Sequence, residues 1–92
     1  GCYTDSGSPR VFIYAMQIPE GAQNMTPQRC INACKNGGYT FAGLEYVTEC
    51  WCGMGSQPPS SSLKVPDGEC NAPCAGDAGK TCGGAWLLEV WK

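Results

Sequence analysis

The 92-residue sequence has no histidine, and only 15% of it is charged, six basic residues against eight acidic. Without histidine the commonest general base is gone. Nucleophilic catalysis would have to rest on a carboxylate or a lysine, and nothing in the sequence marks one beside a nucleophile. The few basic residues are scattered and leave no electrostatic footprint for a phosphate backbone, which argues against nucleic acid as a partner. No run of about eighteen apolar residues exists, so no spanning segment and no membrane contact are expected. Opening on Gly1-Cys2, the chain reads as a mature or excised module whose targeting segment is expected to lie elsewhere. No internal repeat is visible.

What the chain does have is eight cysteines, thirteen glycines and seven prolines. A chain of this length is expected to form one domain over residues 1–92, near the size at which an apolar core alone gives marginal stability. Four disulfides at about 2–4 kcal/mol each would make up the difference, and such density belongs to secreted or cell-surface proteins. Zinc is the competing use for eight thiols. Zinc knuckles favour C-x2-C on tight turns, whereas the intervals here are C-x3-C, C-x-C and C-x7-C. Disulfides are therefore expected, with no metal and no cofactor.

Cys30 and Cys34 stand four apart in a segment that reads as helix, and Cys50 and Cys52 two apart in one that reads as strand. An i,i+4 step advances about 6 Å along a helix face, and an i,i+2 step about 6.6 Å along a strand face. Two parallel bridges could therefore staple the helix onto the sheet. Fixing Cys30–Cys50 and Cys34–Cys52 leaves Cys2, Cys70, Cys74 and Cys82 with three possible pairings, among which geometry does not choose.

Along the chain, Cys2-Tyr3-Thr4-Asp5 reads as a short strand running into a turn at Ser6-Gly7-Ser8-Pro9. The β-branched and aromatic run in residues 10–15 reads as a second strand, and residues 17–25 as loop. A helix of about ten residues is expected from Thr26 as N-cap and Pro27 at N1, with Cys30, Ile31 and Cys34 as its buried stripe and Asn36-Gly37-Gly38 as its stop. Residues 39–46 and Glu49–Gly53 read as a hairpin closed by Val47-Thr48. A two-residue loop would set Glu45 opposite Cys50 and Leu44 opposite Trp51, turning Gly43 and Glu45 toward the helix and Trp51 away from it. Residues 54–69 read as a polar surface loop, residues 70–84 as a turn-rich segment closing on itself, and residues 85–92 as a last strand. Asn24-Met25-Thr26 is a formal glycosylation sequon, but Thr26 is committed to capping and Pro27 follows.

Two carboxyls about 5 to 9.5 Å apart would suit glycoside hydrolysis, but a two-residue hairpin places Glu45 and Glu49 on opposite faces, and Asp67 and Glu69 lie in a loop. A non-catalytic chain is expected. The remaining asset is its aromatic rings, many for so small a core. Trp51 alternates with two inward-pointing cysteines, and a row of flat rings rimmed by polar groups suits the apolar C–H faces and peripheral hydroxyls of a polysaccharide.

Gly1-Cys2-Tyr3-Thr4-Asp5, Met25-Thr26 with Cys30 and Cys34, Phe41-Ala42-Gly43-Leu44-Glu45-Tyr46, Glu49-Cys50-Trp51-Cys52-Gly53, Cys70-Asn71 with Cys74-Ala75-Gly76, and Cys82-Gly83-Gly84 together resemble the WSC domain, the extracellular module of fungal cell-wall integrity sensors that is also attached to secreted oxidases and glucanases. The resemblance runs over nearly the whole chain and takes in all the cysteines. It implies an α+β, disulfide-rich PAN/apple-like fold, one main helix packed on an antiparallel sheet, with bridges Cys2–Cys70, Cys30–Cys50, Cys34–Cys52 and Cys74–Cys82. It also implies binding of cell-wall polysaccharide, β-1,3-glucan or xylan, with Tyr3, Asp5, Glu45, Tyr46, Glu49 and Trp51 as candidate contacts. The family usually has glycine where Val47 stands, asparagine where Met54 stands and arginine where Leu87 stands. Trp86 and Trp91 occupy positions where smaller or phenolic side chains are common, which adds both as candidates for ring stacking.

The function expected is that of a non-catalytic carbohydrate-binding module, secreted or at the cell surface in the cell wall, tethered to an enzyme or sensor and in some proteins repeated in tandem. The main rival is an apple-like module for protein interaction or self-association, which would be indifferent to insoluble glucan.

Overall fold

A computed structural model describes residues 1–7 and 9–92. Ser8, part of the turn expected after the first strand, lies outside the described residues. In chain order the strands are β1 (Cys2–Thr4), β2 (Tyr14–Ala15), β3 (Phe41–Glu45), β4 (Glu49–Gly53), β5 (Lys64–Val65), β6 (Pro73–Cys74), β7 (Asp77–Thr81) and β8 (Leu87–Trp91), with the helix α1 (Pro27–Asn36) between β2 and β3. Six strands form one antiparallel sheet in the order β2-β4-β3-β8-β1-β5, and β6 and β7 pair as a separate ribbon.

The helix forms where local chemistry puts it. The Thr26 hydroxyl accepts from the Arg29 amide at 3.1 Å, Pro27 fills the first turn where no N–H is needed, and the helix runs for ten residues. Gly38, at φ 87°, makes the left-handed exit. Cys30 and Cys34 are buried while Ile31 is half-buried. The four disulfides are Cys2–Cys70, Cys30–Cys50, Cys34–Cys52 and Cys74–Cys82. The middle two bind consecutive turns of α1 to alternate residues of β4, so the sulfurs of Cys30, Cys34 and Cys50 crowd together as neighbouring bridges rather than as free thiolates for a metal. No helix among the described residues is long and apolar enough to cross a membrane.

The hairpin differs from the expected one by a single residue. Glu45 pairs with Glu49, Leu44 with Cys50, Gly43 with Trp51 and Ala42 with Cys52, leaving Tyr46, Val47 and Thr48 in the loop. Tyr46 and Val47 both adopt left-handed backbone, at φ 54° and 72°. Neighbouring backbone holds them there, the Tyr46 amide donating to the Gly84 carbonyl and the Val47 amide to the Cys82 carbonyl, each at 3.2 Å. Because side chains alternate along a strand, the extra residue exchanges the faces of β3 relative to β4. Ala42 and Leu44, not Gly43 and Glu45, accompany the cysteines beneath the helix. Glu45 and Glu49, expected on opposite faces, are cross-strand partners on the same one.

The sheet is covered on both sides. Under α1, Met25, Leu44, Ala42 and the cysteines form one apolar cluster. On the other side Tyr3, Phe12, Phe41, Leu88 and Val90 form a second, with Trp51 and Leu63 packed against it. That second core corrects the expected strand over residues 10–15. Only Tyr14 and Ala15 pair, with Cys52 and Trp51, while the preceding residues cross the sheet as an arm. Gly43 and Gly53 leave the hollow that receives Phe12: a Cβ on Gly53 would come within 2.5 Å of its ring, and one on Gly43 within 3.0 Å. The expected loop over residues 54–69 also contributes an edge strand, β5, paired with β1.

Candidate functional site

The arm that carries Phe12 also carries Arg10, and around Arg10 most of the sequence-derived candidates converge. Asp5 fixes the start of the arm, its Oδ1 accepting from the amides of Ser6 and Val11 at 2.8 Å each, while its own amide donates to the Trp86 carbonyl at 2.9 Å. This places the Arg10 guanidinium carbon 4.0 Å from the centre of the Trp51 ring and 5.6 Å from that of Trp86. The Tyr46 ring meets Trp86 edge to face, with centroids 5.5 Å apart. Trp51, Arg10, Trp86 and Tyr46 thus form a ladder of flat groups held by cation–π and edge-to-face contacts.

Glu49 locks one end. Its Oε1 accepts from Trp51 Nε1 at 3.0 Å and from Arg10 Nη2 at 3.4 Å, which neutralises the guanidinium locally and sets the tilt of the indole. Trp86, at the other end, is 46% exposed and has left-handed backbone at φ 54°. Three non-glycine residues of the described chain have positive φ, namely Tyr46, Val47 and Trp86. Two of them carry rings of the ladder and the third is their neighbour. Backbone strain of this kind persists where surrounding structure over-determines it, and it clusters at binding sites.

Glu45 lies on the same face, at 0% exposure. No donor reaches either of its oxygens, and the Arg10 Nε is buried without an acceptor. Burial raises the Glu45 pKa to about 8. The adjacent Asp5 carboxylate, which favours the protonated form by hydrogen bonding and repels the ionised one, adds to the rise; Arg10 opposes it and Glu49 adds a little. At neutral pH the carboxyl is mainly protonated. A carboxyl sealed from solvent cannot reach a glycosidic bond, so the Glu45–Glu49 pair lacks the two accessible acids of a glycosidase.

The structure therefore brings together Asp5, Glu45, Tyr46, Glu49, Trp51 and Trp86. It does not bring Tyr3 or Trp91 to them. Tyr3 is 7% exposed within the second core, and Trp91 pairs with Ala42 on the helix side of the sheet, 44% exposed beside Ile31 and Lys80. The residue that sequence reasoning missed is Arg10. Its signal was being the sole basic residue before Arg29, within a run whose β-branched neighbours read as strand. A groove of about 680 Å³ lies along the β4 edge of the sheet, lined by Glu49 and Trp51 together with Gln17, Met25, Thr48 and Cys50.

The sequence matches the family model of the WSC domain over residues 1–84. It is 44% identical over 92 residues to a WSC domain-containing protein of Arthroderma benhamiae, covering all of this chain and 12% of that protein. It is 33% identical over 92 residues to the xylosyltransferase oxt of Drosophila melanogaster, all of this chain and 10% of that protein. It is 36% identical over 93 residues to Kremen protein 2 of Homo sapiens, again all of this chain and 19% of that protein. The chain thus spans between 10% and 19% of the length of these relatives.

Proposed function

We propose, from the premise that this chain belongs to the WSC domain family, whose domains are non-catalytic and generally bind carbohydrate at the cell surface, that it attaches a larger extracellular protein to cell-wall polysaccharide, β-1,3-glucan or xylan. The observation that carries this reading is the Trp51–Arg10–Trp86–Tyr46 ladder, rimmed by Glu49.

Sugar rings have an apolar C–H face and a hydroxyl edge. The exposed Trp86 ring meets the first, and the partly exposed Glu49 carboxylate and Arg10 guanidinium meet the second. The adjoining groove gives a linear polymer a path beyond the ladder. A platform of two or three rings with so open a boundary yields about 4 to 6 kcal/mol for a short oligosaccharide, roughly millimolar to tens of micromolar. Tandem copies on one chain, or several chains on one wall, would raise retention through effective concentration.

The test is retention of the oxidised domain on insoluble β-1,3-glucan, xylan, chitin and cellulose, with Trp86→Ala alongside. Retention on glucan or xylan that falls in the variant supports the reading. Indifference to all four polymers overturns it and favours the protein-interaction alternative, for which the exposed Ile13, Tyr14 and Met54 side chains would be the place to look.

A further inference from the structure

We propose that Glu45 is a positioning residue for the sugar-binding face: while its carboxyl is protonated the Arg10 arm stays seated on Trp51, and when it ionises Arg10 is drawn off Trp51 and carbohydrate is released. The inference rests on the carbohydrate-binding reading and adds a proton as the regulator of that site.

The geometry points to it in three ways. First, among the described residues, Arg10 Nε is buried without an acceptor and the two oxygens of Glu45 are buried without a donor, the one hydrogen bond open to the protonated carboxyl being the one it gives to Asp5. All belong to one cluster, and unsatisfied buried polar groups are rare enough that each calls for a reason. Second, the groups facing Glu45 make its ionised form untenable without rearrangement. The arm presents Asp5 and Arg10, the facing strand Glu49, and the hairpin loop Tyr46. The segment at Gly83 approaches with backbone alone. Strand β8 presents Leu88 on this side, while its Glu89 accepts from the Thr81 hydroxyl and the Gly83 amide, opposite Leu44. Arg10 is thus the one cation in the set, set against the negative charges of Asp5 and Glu49. Third, Arg10 is committed elsewhere while Glu45 is neutral, its Nη2 on Glu49 and its guanidinium carbon over Trp51.

A newly formed buried carboxylate takes the donor at hand, in a charge-assisted hydrogen bond stronger than a neutral one. That donor is Arg10 Nε–H. Turning it toward Glu45 tilts the guanidinium away from Trp51 and loosens its contact with Glu49. Repulsion between the Glu45 and Asp5 carboxylates acts in the same direction, because Asp5 holds the base of the arm through the Ser6 and Val11 amides. The ladder loses its middle rung as Glu45 loses its proton, over the range about pH 8 where the carboxyl titrates. For a single proton the limit is about tenfold weaker binding per pH unit above the midpoint.

The experiment has two arms on the oxidised chain. Without sugar, the Trp51 indole N–H and the 13C-labelled glutamate carboxyls are followed by NMR from pH 5 to 9.5, for the wild type and Glu45→Gln. With insoluble β-1,3-glucan and xylan, retention is measured over the same range. The expected result is a Trp51 indole shift that tracks the Glu45 carboxyl, with a midpoint near pH 8, and that is missing from Glu45→Gln. Retention of the wild type weakens up to about tenfold per unit above that midpoint, while the retention of Glu45→Gln, a neutral mimic, does not vary with pH over this range. An indole that does not move with the Glu45 carboxyl in the wild type overturns the inference, whether or not the variant folds. So does an identical pH profile in Glu45→Gln. If no polymer is retained at any pH, the carbohydrate reading fails, and the indole titration alone decides whether Glu45 positions Arg10.

Discussion

Arg10 sits over the Trp51 ring, its guanidinium carbon 4.0 Å from the ring centre, and the two share one carboxylate oxygen of Glu49 as hydrogen-bond acceptor. An arm of the chain that sequence pattern assigns to a strand thereby becomes part of the proposed binding face. The arm's seat is the glycine hollow under Phe12, its tether is Asp5, and its tip is the cation that links two tryptophans.

Trp86 and Trp91 are exposed to similar degrees but stand on different faces, so their removal should separate cleanly. Trp86→Ala should weaken retention on glucan or xylan about tenfold, the loss of about 1.4 kcal/mol expected of one stacking ring, with thermal stability little changed. Trp91→Ala should leave retention at the wild-type level. Binding isotherms on insoluble polymer, with melting curves as the control for folding, check both.

Gly53→Ala should destabilise the chain by about 1–3 kcal/mol, because the new methyl would sit within 2.5 Å of the Phe12 ring and must displace it. Since Phe12 anchors the arm that carries Arg10, the same variant should lose the Trp51–Arg10 contact. Denaturant unfolding gives the first result and the Trp51 indole chemical shift the second.

Val47 holds a β-branched side chain at φ 72°, a backbone region costing about 1–2 kcal/mol for residues other than glycine. Val47→Gly should raise stability by about 1 kcal/mol, part of the relief being offset by the freedom glycine adds to the unfolded chain. An unchanged or lowered unfolding midpoint would show that the loop is not strained as its dihedrals indicate.

Stability should fall as pH rises from mildly acidic toward 8. Glu45 binds its proton more tightly folded, at about 8, than at its ordinary 4.5, so between those values the folded state carries more protons than the unfolded one. The stabilising contribution is full below about pH 4.5 and is lost as pH rises through about 8. Asp67, whose carboxyl Lys64 and the Cys2 amide hold below the usual range, works the other way, its contribution being lost only in stronger acid. Melting curves at pH 5, 6.5 and 8 should show the decline in the wild type and a flatter profile in Glu45→Gln.

Much of the fold was legible where its causes are local. Thr26, Pro27 and Gly38 mark the helix by capping chemistry that needs no tertiary context. The four-residue and two-residue cysteine intervals match helix and strand pitch, and the structure joins them as read. The hairpin register was not legible, because its loop conformation is imposed from afar: the carbonyls of Cys82 and Gly84 hold Tyr46 and Val47 in a backbone region that valine does not choose by itself. The arm was misread for a related reason. Val11, Phe12 and Ile13 have strand-forming side chains, but Phe12 gains more by filling the hollow above Gly43 and Gly53 than by pairing. For the site, the family resemblance implied Asp5, Tyr46 and Glu49 along with the outlying Tyr3, and ring content added Trp51, Trp86 and the outlying Trp91, whereas Arg10 became visible only once the arm was folded back. Glu45 reached the right face only with the corrected register.

The most direct test of the central claim is an indole N–H titration at pH 6 with soluble β-1,3-glucan and xylan oligosaccharides, reading Trp51, Trp86 and Trp91 separately. The account predicts that Trp51 and Trp86 shift together along one saturation curve, in the millimolar to tens of micromolar range, while Trp91 stays fixed. A response confined to Trp91, or none from any indole, would contradict it.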